Sequence, residues 1–153
     1  MSRWRQATPF GDISVVTTAR GLQEIDFGGE AGGRPDRAVA RQLDEWFAGR
    51  CRAFDLDLDL DGIDGFRRTA LETLAREVGW GETVTYGELA EMAGRPRAAR
   101  AAGSAMRHNP IPFVIPCHRV VAAGNRIGGY GGGRNAVALK RELLAREGVT
   151  SLR

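Results

Sequence analysis

Cys117 and His118 are adjacent, with Pro116 before them and Glu147 further along the chain. A free thiol has a pKa near ~8.5, so only a few per cent of it is thiolate at neutral pH. A nearby base or cation turns such a cysteine into a nucleophile. His118 is the candidate base, and Glu147 is the candidate carboxylate to orient its imidazole. Pro116 fixes its own φ and lacks a backbone N–H, so the segment reads as extended or turned. Neighbours on an extended chain point apart, so Cys117 and His118 are expected to communicate through a water. A negative charge in the last turn of a helix opposes the macrodipole, which argues that Glu147 has a partner. An exposed, screened glutamate is the competing reading. On spacing alone, a buried structural cysteine beside an incidental histidine is the stronger reading of the pair.

Other chemistries fit less well. Two Cys and two His without paired spacing do not make a zinc site, and no Gly-Lys-Ser/Thr phosphate loop is present. Asp57, Asp59, Asp61 and Gly62 match the start of an EF-hand loop, but its twelfth position, which needs a bidentate Glu, is Arg68. Cys51 has no base near it in sequence and reads as structural. No cofactor or metal is expected.

The elements that must position Cys117 fall into two groups. Residues 1–65 read as a small α/β unit. Ile13 to Thr18 and Leu22 to Phe27 are expected strands joined by a hairpin at Ala19-Arg20-Gly21. Asp36 should cap a helix to about Gly49, with Val39, Leu43 and Phe47 on one face. Phe54, Leu56, Leu58 and Leu60 alternate with aspartates, which predicts a further strand. From Phe66 the pattern turns helical, with Phe66, Ala70, Leu74 and Val78 on one face. Thr85-Tyr86-Gly87-Glu88 is a capping box opening a second helix that stops at Gly94. Pro96 suits the first position of a third helix to about His108. Two short helices across a glycine-containing turn make a helix-turn-helix. A last helix spans roughly Ala136 to Glu147, stopped by Gly148.

The third helix carries small residues plus Arg97, Arg100 and Arg107. Small side chains let a backbone approach its partner closely, and the arginines suit a polyanion, so a DNA-docking helix explains both. A small-residue helix packed inside the protein is the alternative. The charge is divided accordingly. Residues 1–65 hold 8 Arg and 12 Asp and Glu, a net of −4, while residues 66–153 hold 14 Lys and Arg and 7 Glu, a net of +7. Only the second half should meet a polyanion. With 42% apolar residues the chain can build a core. No apolar run approaches the ~20 residues of a membrane span, and no secretion signal is evident, so a cytoplasmic protein without membrane partners is expected.

The segment Asn109-Pro-Ile-Pro-Phe-Val-Ile-Pro-Cys117-His118-Arg119-Val120, with the helix pair from Tyr86-Gly-Glu-Leu-Ala to Arg97-Ala-Ala-Arg100-Ala, resembles the O6-alkylguanine-DNA alkyltransferase family. The likeness runs from about Gly81 to Gly148. The resemblance implies an α+β fold: a small ribonuclease H-like α/β domain over 1–65 with a structural role, and a mostly helical domain over 66–153 that binds DNA and accepts the alkyl group. It implies direct, stoichiometric and irreversible transfer of an alkyl group from O6-alkylguanine in double-stranded DNA to Cys117, with O4-alkylthymine as a further substrate and the protein acting as a monomer. His118 would take the thiol proton through a water while Glu147 holds the ring. Tyr86 would donate to the leaving guanine, and Asn109 would lock the neighbouring turn. The Val120 carbonyl would accept from the guanine amino group, and the Gly131 N–H would face O6. Met106, Pro112 and Tyr130 would wall the pocket. Arg100 would fill the gap left by an everted base, with Arg97, Ala98 and Ala101 on the docking helix in the minor groove. Three features depart from the pattern: Leu71 where many members have Trp, Gly131 where some have Ser, and a slightly longer stretch from Gly131 to Asn135. A lesion-recognition or regulatory DNA-binding module with an inert cysteine is the alternative function.

Overall fold

The computed structural model describes residues 1–29, 32–130 and 136–153. It is a mixed helix-and-sheet protein in two compact units, Met1–Asp61 and Gly62–Arg153.

The first unit is built on a three-stranded antiparallel sheet of β1 (Ser2–Gln6), β2 (Ile13–Thr18) and β3 (Gly21–Phe27), in that order. Strands β2 and β3 match the sequence expectation, and Thr18 pairs with Gly21 across the hairpin. Strand β1 was not expected. Its Trp4 and Gln6 alternate with exposed arginines, a period-two pattern too short to stand out. Helix α1 (Arg37–Phe47) starts where Asp36 accepts from the N–H groups of Ala38 and Val39. It buries Val39, Leu43, Trp46 and Phe47. Gln6 ties it to the sheet by donating to the Ala40 carbonyl at 2.9 Å and to Asp44 at 2.7 Å.

The strand expected over residues 54–61 is not formed. Leu58 makes one isolated parallel bridge to Leu22. The period-two pattern breaks at Asp59, which is buried and accepts from the Thr18 hydroxyl at 2.5 Å and from the Asp61 N–H at 3.0 Å. Gly21 lets this segment approach: its φ is +136°, and a Cβ there would lie 2.3 Å from the Asp57 carbonyl oxygen.

In the second unit, α2 (Gly65–Glu77) buries Ala70, Leu71, Thr73 and Leu74. Then β4 (Val84–Thr85) leads directly into α3 (Tyr86–Met92). The capping box forms as expected, with Thr85 accepting from the Glu88 N–H and Glu88 accepting from the Thr85 N–H. Helix α4 covers Ala99–Arg107. It starts later than Pro96 predicted: Pro96 and Arg97 lie in a turn, and Ala98 is the N-cap. The Ala98 N–H bonds the Arg95 carbonyl and closes that turn before the helix begins. Beyond α4 come β5 (Val120–Val121) and α5 (Ala136–Arg146). Strands β4 and β5 pair in parallel, Val84 with Val120 and Thr85 with Val121. That short ladder fixes Tyr86, the first residue of α3, against the segment that follows Cys117.

Candidate active site

Cys117 to Arg119 form one turn of 3-10 helix, so of the extended and turned conformations expected after Pro116 the turned one is adopted. The turn closes through the Arg119 N–H to the Pro116 carbonyl at 2.9 Å. Asn109 builds the approach to it. Its side chain donates to the Ile115 carbonyl at 2.7 Å and accepts from the Ile111 N–H at 2.9 Å, pinning both arms of the loop. Inside that loop Phe113 is fully buried with φ +73°, a left-handed conformation for a bulky residue. Such strain costs on the order of 1–3 kcal/mol and persists only where the surroundings enforce it.

His118 is fully buried, and its Nε2 lies 2.7 Å from Glu147 Oε2. Glu147 follows directly after α5. It also accepts from Arg119 Nε at 2.8 Å, Arg119 Nη2 at 3.2 Å and the Gly81 N–H at 3.0 Å. Burial by itself would raise this carboxyl, but the hydrogen bonds from His118 and Arg119 outweigh it and hold the pKa at about 2. Burial lowers the His118 pKa, against the pull of Glu147. The pair is therefore a carboxylate accepting from a neutral imidazole N–H, which leaves Nδ1 as the basic nitrogen.

Cys117 is buried, and desolvation raises its pKa. Hydrogen bonding by Asn109 and Tyr130 and the charge of Lys140 work the other way. The resting thiol is thus neutral, with a set of groups around it that favour its anion. Lys140, fully buried, was missed in the sequence because a lysine on a helix reads as a surface residue. Its Nζ donates to the Val120 carbonyl at 2.6 Å and to the Gly129 carbonyl at 2.8 Å. Burial lowers its pKa to about 8, with Cys117 opposing the shift. Arg119 and Gly81 were also missed, because nothing in their spacing points to Glu147.

A cavity of about 180 Å³ opens onto the sulfur, lined by Tyr86, Gly103, Met106, Arg107, Cys117, Gly129 and Tyr130. The Tyr86 hydroxyl donates to the Gly129 carbonyl at 3.2 Å, and burial followed by the proximity of Cys117 raises its pKa, so it stays a donor. The structure thus brings Cys117, Tyr86, Met106 and Tyr130 together around one cavity, with His118, Glu147 and Asn109 behind its floor. Pro112 is half-buried and is not among the lining residues. The Val120 carbonyl is engaged by Lys140. Arg97, Arg100 and Ala101 are exposed and Ala98 is half-buried. Gly131 lies outside the described residues. Among the described residues no group of three or more His, Cys, Asp or Glu side chains converges as a metal site, and no helix is long and apolar enough to cross a membrane.

Fold and site together define a mixed helix-and-sheet protein whose buried thiol lines a small cavity and is followed in the chain by a buried His–Glu–Arg network. Residues 65–149 match the family model described as 6-O-methylguanine DNA methyltransferase, DNA binding domain. A methylated-DNA–protein-cysteine methyltransferase of Mycobacterium bovis is 41% identical over 90% of this chain and 82% of its own length. One of Methanosarcina acetivorans is 36% identical over 92% of this chain and 94% of its own length. The crystal structure of Mycobacterium tuberculosis OGT in complex with DNA superposes with a TM-score of 0.84 at 34% identity, covering 96% of this chain and 92% of that one. The chain belongs to the 6-O-methylguanine DNA methyltransferase family.

Proposed function

We propose that this protein repairs alkylated DNA by moving the alkyl group from guanine O6 to Cys117, once per molecule. The observation that carries the reading is the thiol of Cys117 at the wall of a base-sized cavity, backed by a neutral imidazole locked on a permanent carboxylate. O6 cannot meet a protein sulfur inside a duplex, so the damaged nucleotide must be everted into the cavity.

The chemistry follows from the charges. Glu147 is fixed as a carboxylate by Arg119, and it orients His118 so that Nδ1 is the nitrogen that takes a proton. The Cys117 proton passes to that nitrogen through a water. Lys140, Asn109 and Tyr130 stabilise the thiolate in a buried site, where such interactions are strong. The sulfur attacks the alkyl carbon in line with the C–O6 bond. The S–C bond forms, the C–O6 bond breaks, and its electron pair leaves with the purine. Tyr86 turns from the Gly129 carbonyl to donate to the ring as charge develops there, and the relayed proton restores neutral guanine. A thioether has no leaving path, so the protein is spent.

Helices α3 and α4 act as the helix-turn-helix. The exposed Arg97 and Ala101, with Ala98, meet the minor groove, and Arg100 occupies the gap in the stack. Residues 1–65 form the ribonuclease H-like structural domain. The partner is double-stranded DNA carrying alkylated guanine, met by a single copy in the cytoplasm, with O4-alkylthymine as a second substrate. Cys117→Ser tests the division of labour. Repair should vanish while binding to lesion DNA survives, and unchanged repair would refute the role of Cys117.

A further inference from the structure

Among the described residues that line the Cys117 cavity, Arg107 is the one charged side chain; the other six are uncharged. It sits in the last turn of α4 and is exposed. Among the described residues it has no hydrogen bond, ion pair or ring contact. A cation near a helix C-terminus is ordinarily favourable, which accounts for an arginine in this turn. It does not account for a side chain turned to a cavity that contains the nucleophile. Arg107 both lines the cavity and is exposed, so it stands at the cavity's open edge.

The helix supplies a second observation. Residues seven apart lie on one face of an α-helix, about 10 Å apart along its axis. Arg100 and Arg107 are so related, with Gly103 between them on the same face and also lining the cavity. A strand rises about 3.4 Å per nucleotide, so this stripe spans about three nucleotides. A nucleotide everted past Gly103 would keep its flanking phosphates within the span of this stripe.

We propose that Arg107 is a positioning residue that binds a phosphate flanking the everted nucleotide, so that the protein favours a damaged base still attached to its strand over the free base. This rests on the alkyl-transfer reading above. It differs from the role given to Arg100, which needs a base stack to fill. Arg107 needs only a phosphate, so its contribution should persist on single strands.

The test compares wild type, Arg107→Ala and Arg107→Lys on three substrates: O6-methylguanine in a duplex, the same lesion in a single strand, and free O6-benzylguanine. Arg107→Ala should slow reaction with both DNA substrates roughly 10-fold or more, the range of a charge-assisted hydrogen bond, and alter the free-base rate less than twofold. Arg107→Lys should recover part of the loss. The slope of log affinity against log salt should fall by about 0.9 on duplex DNA and about 0.7 on single strands. Replacing the lesion's flanking phosphates one at a time with uncharged methylphosphonate should, at one of them, slow wild type by the same factor and leave Arg107→Ala unaffected. An equal loss on the free base would make Arg107 a wall of the pocket and overturn the proposal. So would unchanged rates on all substrates, or a methylphosphonate penalty that persists in full in Arg107→Ala. The same cycle can be read as binding affinity in a Cys117→Ser background. The phosphate contact is then judged without chemistry, and a wild type that never alkylates Cys117 overturns only the repair reading.

Discussion

A lysine whose pKa is lowered to about 8 lies among the groups that favour the Cys117 anion, and it defines the electrostatics of the site. Desolvation pushes the thiol up, and Lys140 pulls it down. The half-point for alkylation of Cys117 by iodoacetamide should therefore lie above that of an ordinary thiol. Lys140→Met should move it higher still and slow repair at least ~10-fold, since a lost charge-assisted contact is worth about 1.5–3 kcal/mol. A half-point that does not move would remove Lys140 from the account. Arg100→Ala should weaken repair in duplex DNA and leave reaction with free O6-benzylguanine intact. Equal losses on both would show that Arg100 supports the fold.

Glu147 links this site to stability. Its carboxyl pKa is about 2 in the folded protein, against about 4.3 in an unfolded chain. Its contribution is complete above about pH 5 and fades as the pH falls toward 2; for a depression of this size it is on the order of 2–3 kcal/mol. Glu147→Gln should remove that acid sensitivity from urea melts. It should also cost about 3–5 kcal/mol at neutral pH, because Arg119 is left buried without its counter-charge. Melts of equal acid sensitivity would contradict the low carboxyl pKa.

At the scale of elements, the loop from Asn109 to Cys117 does the positioning. Asn109→Ala removes two hydrogen bonds from a loop that already holds Phe113 in a strained conformation. A loss of about 2–3 kcal/mol is expected, with a larger proportional loss of repair rate than of DNA binding. Thermal melts and single-turnover rates on the same variant would separate the two. Elements with local signals were legible in the sequence. Asp36 announced α1, Thr85 and Glu88 announced α3, and the hairpin turn at Ala19-Arg20-Gly21 announced β2 and β3. Elements whose limits depend on tertiary contacts were not. The aspartates from 55 to 61 alternate as a strand should, yet Asp59 turns inward to Thr18 and only Leu58 pairs. Proline at 96 suits a helix start, yet the Arg95–Ala98 turn holds it outside α4. The signature around Cys117 singled out the thiol, the imidazole and the carboxylate, and the structure puts Cys117 on the cavity and His118 on Glu147. Lys140, Arg119 and Gly81 were hidden because burial and long-range pairing leave no mark in local spacing.

For the whole molecule the division of charge matters most. The basic character belongs to residues 66–153 and the acidic character to residues 1–65. Affinity for duplex DNA should fall linearly on a log–log plot against salt, and Arg97→Ala should reduce the slope by about 0.9 if Arg97 neutralises one phosphate. A slope unchanged in Arg97→Ala would take that residue off the DNA. The central claim is covalent and is read most directly by mass. The protein is incubated with excess duplex carrying a single O6-methylguanine, then digested. The account predicts that the peptide containing Cys117 gains one methyl group per protein molecule and that an equal amount of lesion is restored to guanine. An unmodified Cys117 peptide with the lesion intact, or repair continuing beyond one equivalent, would contradict it.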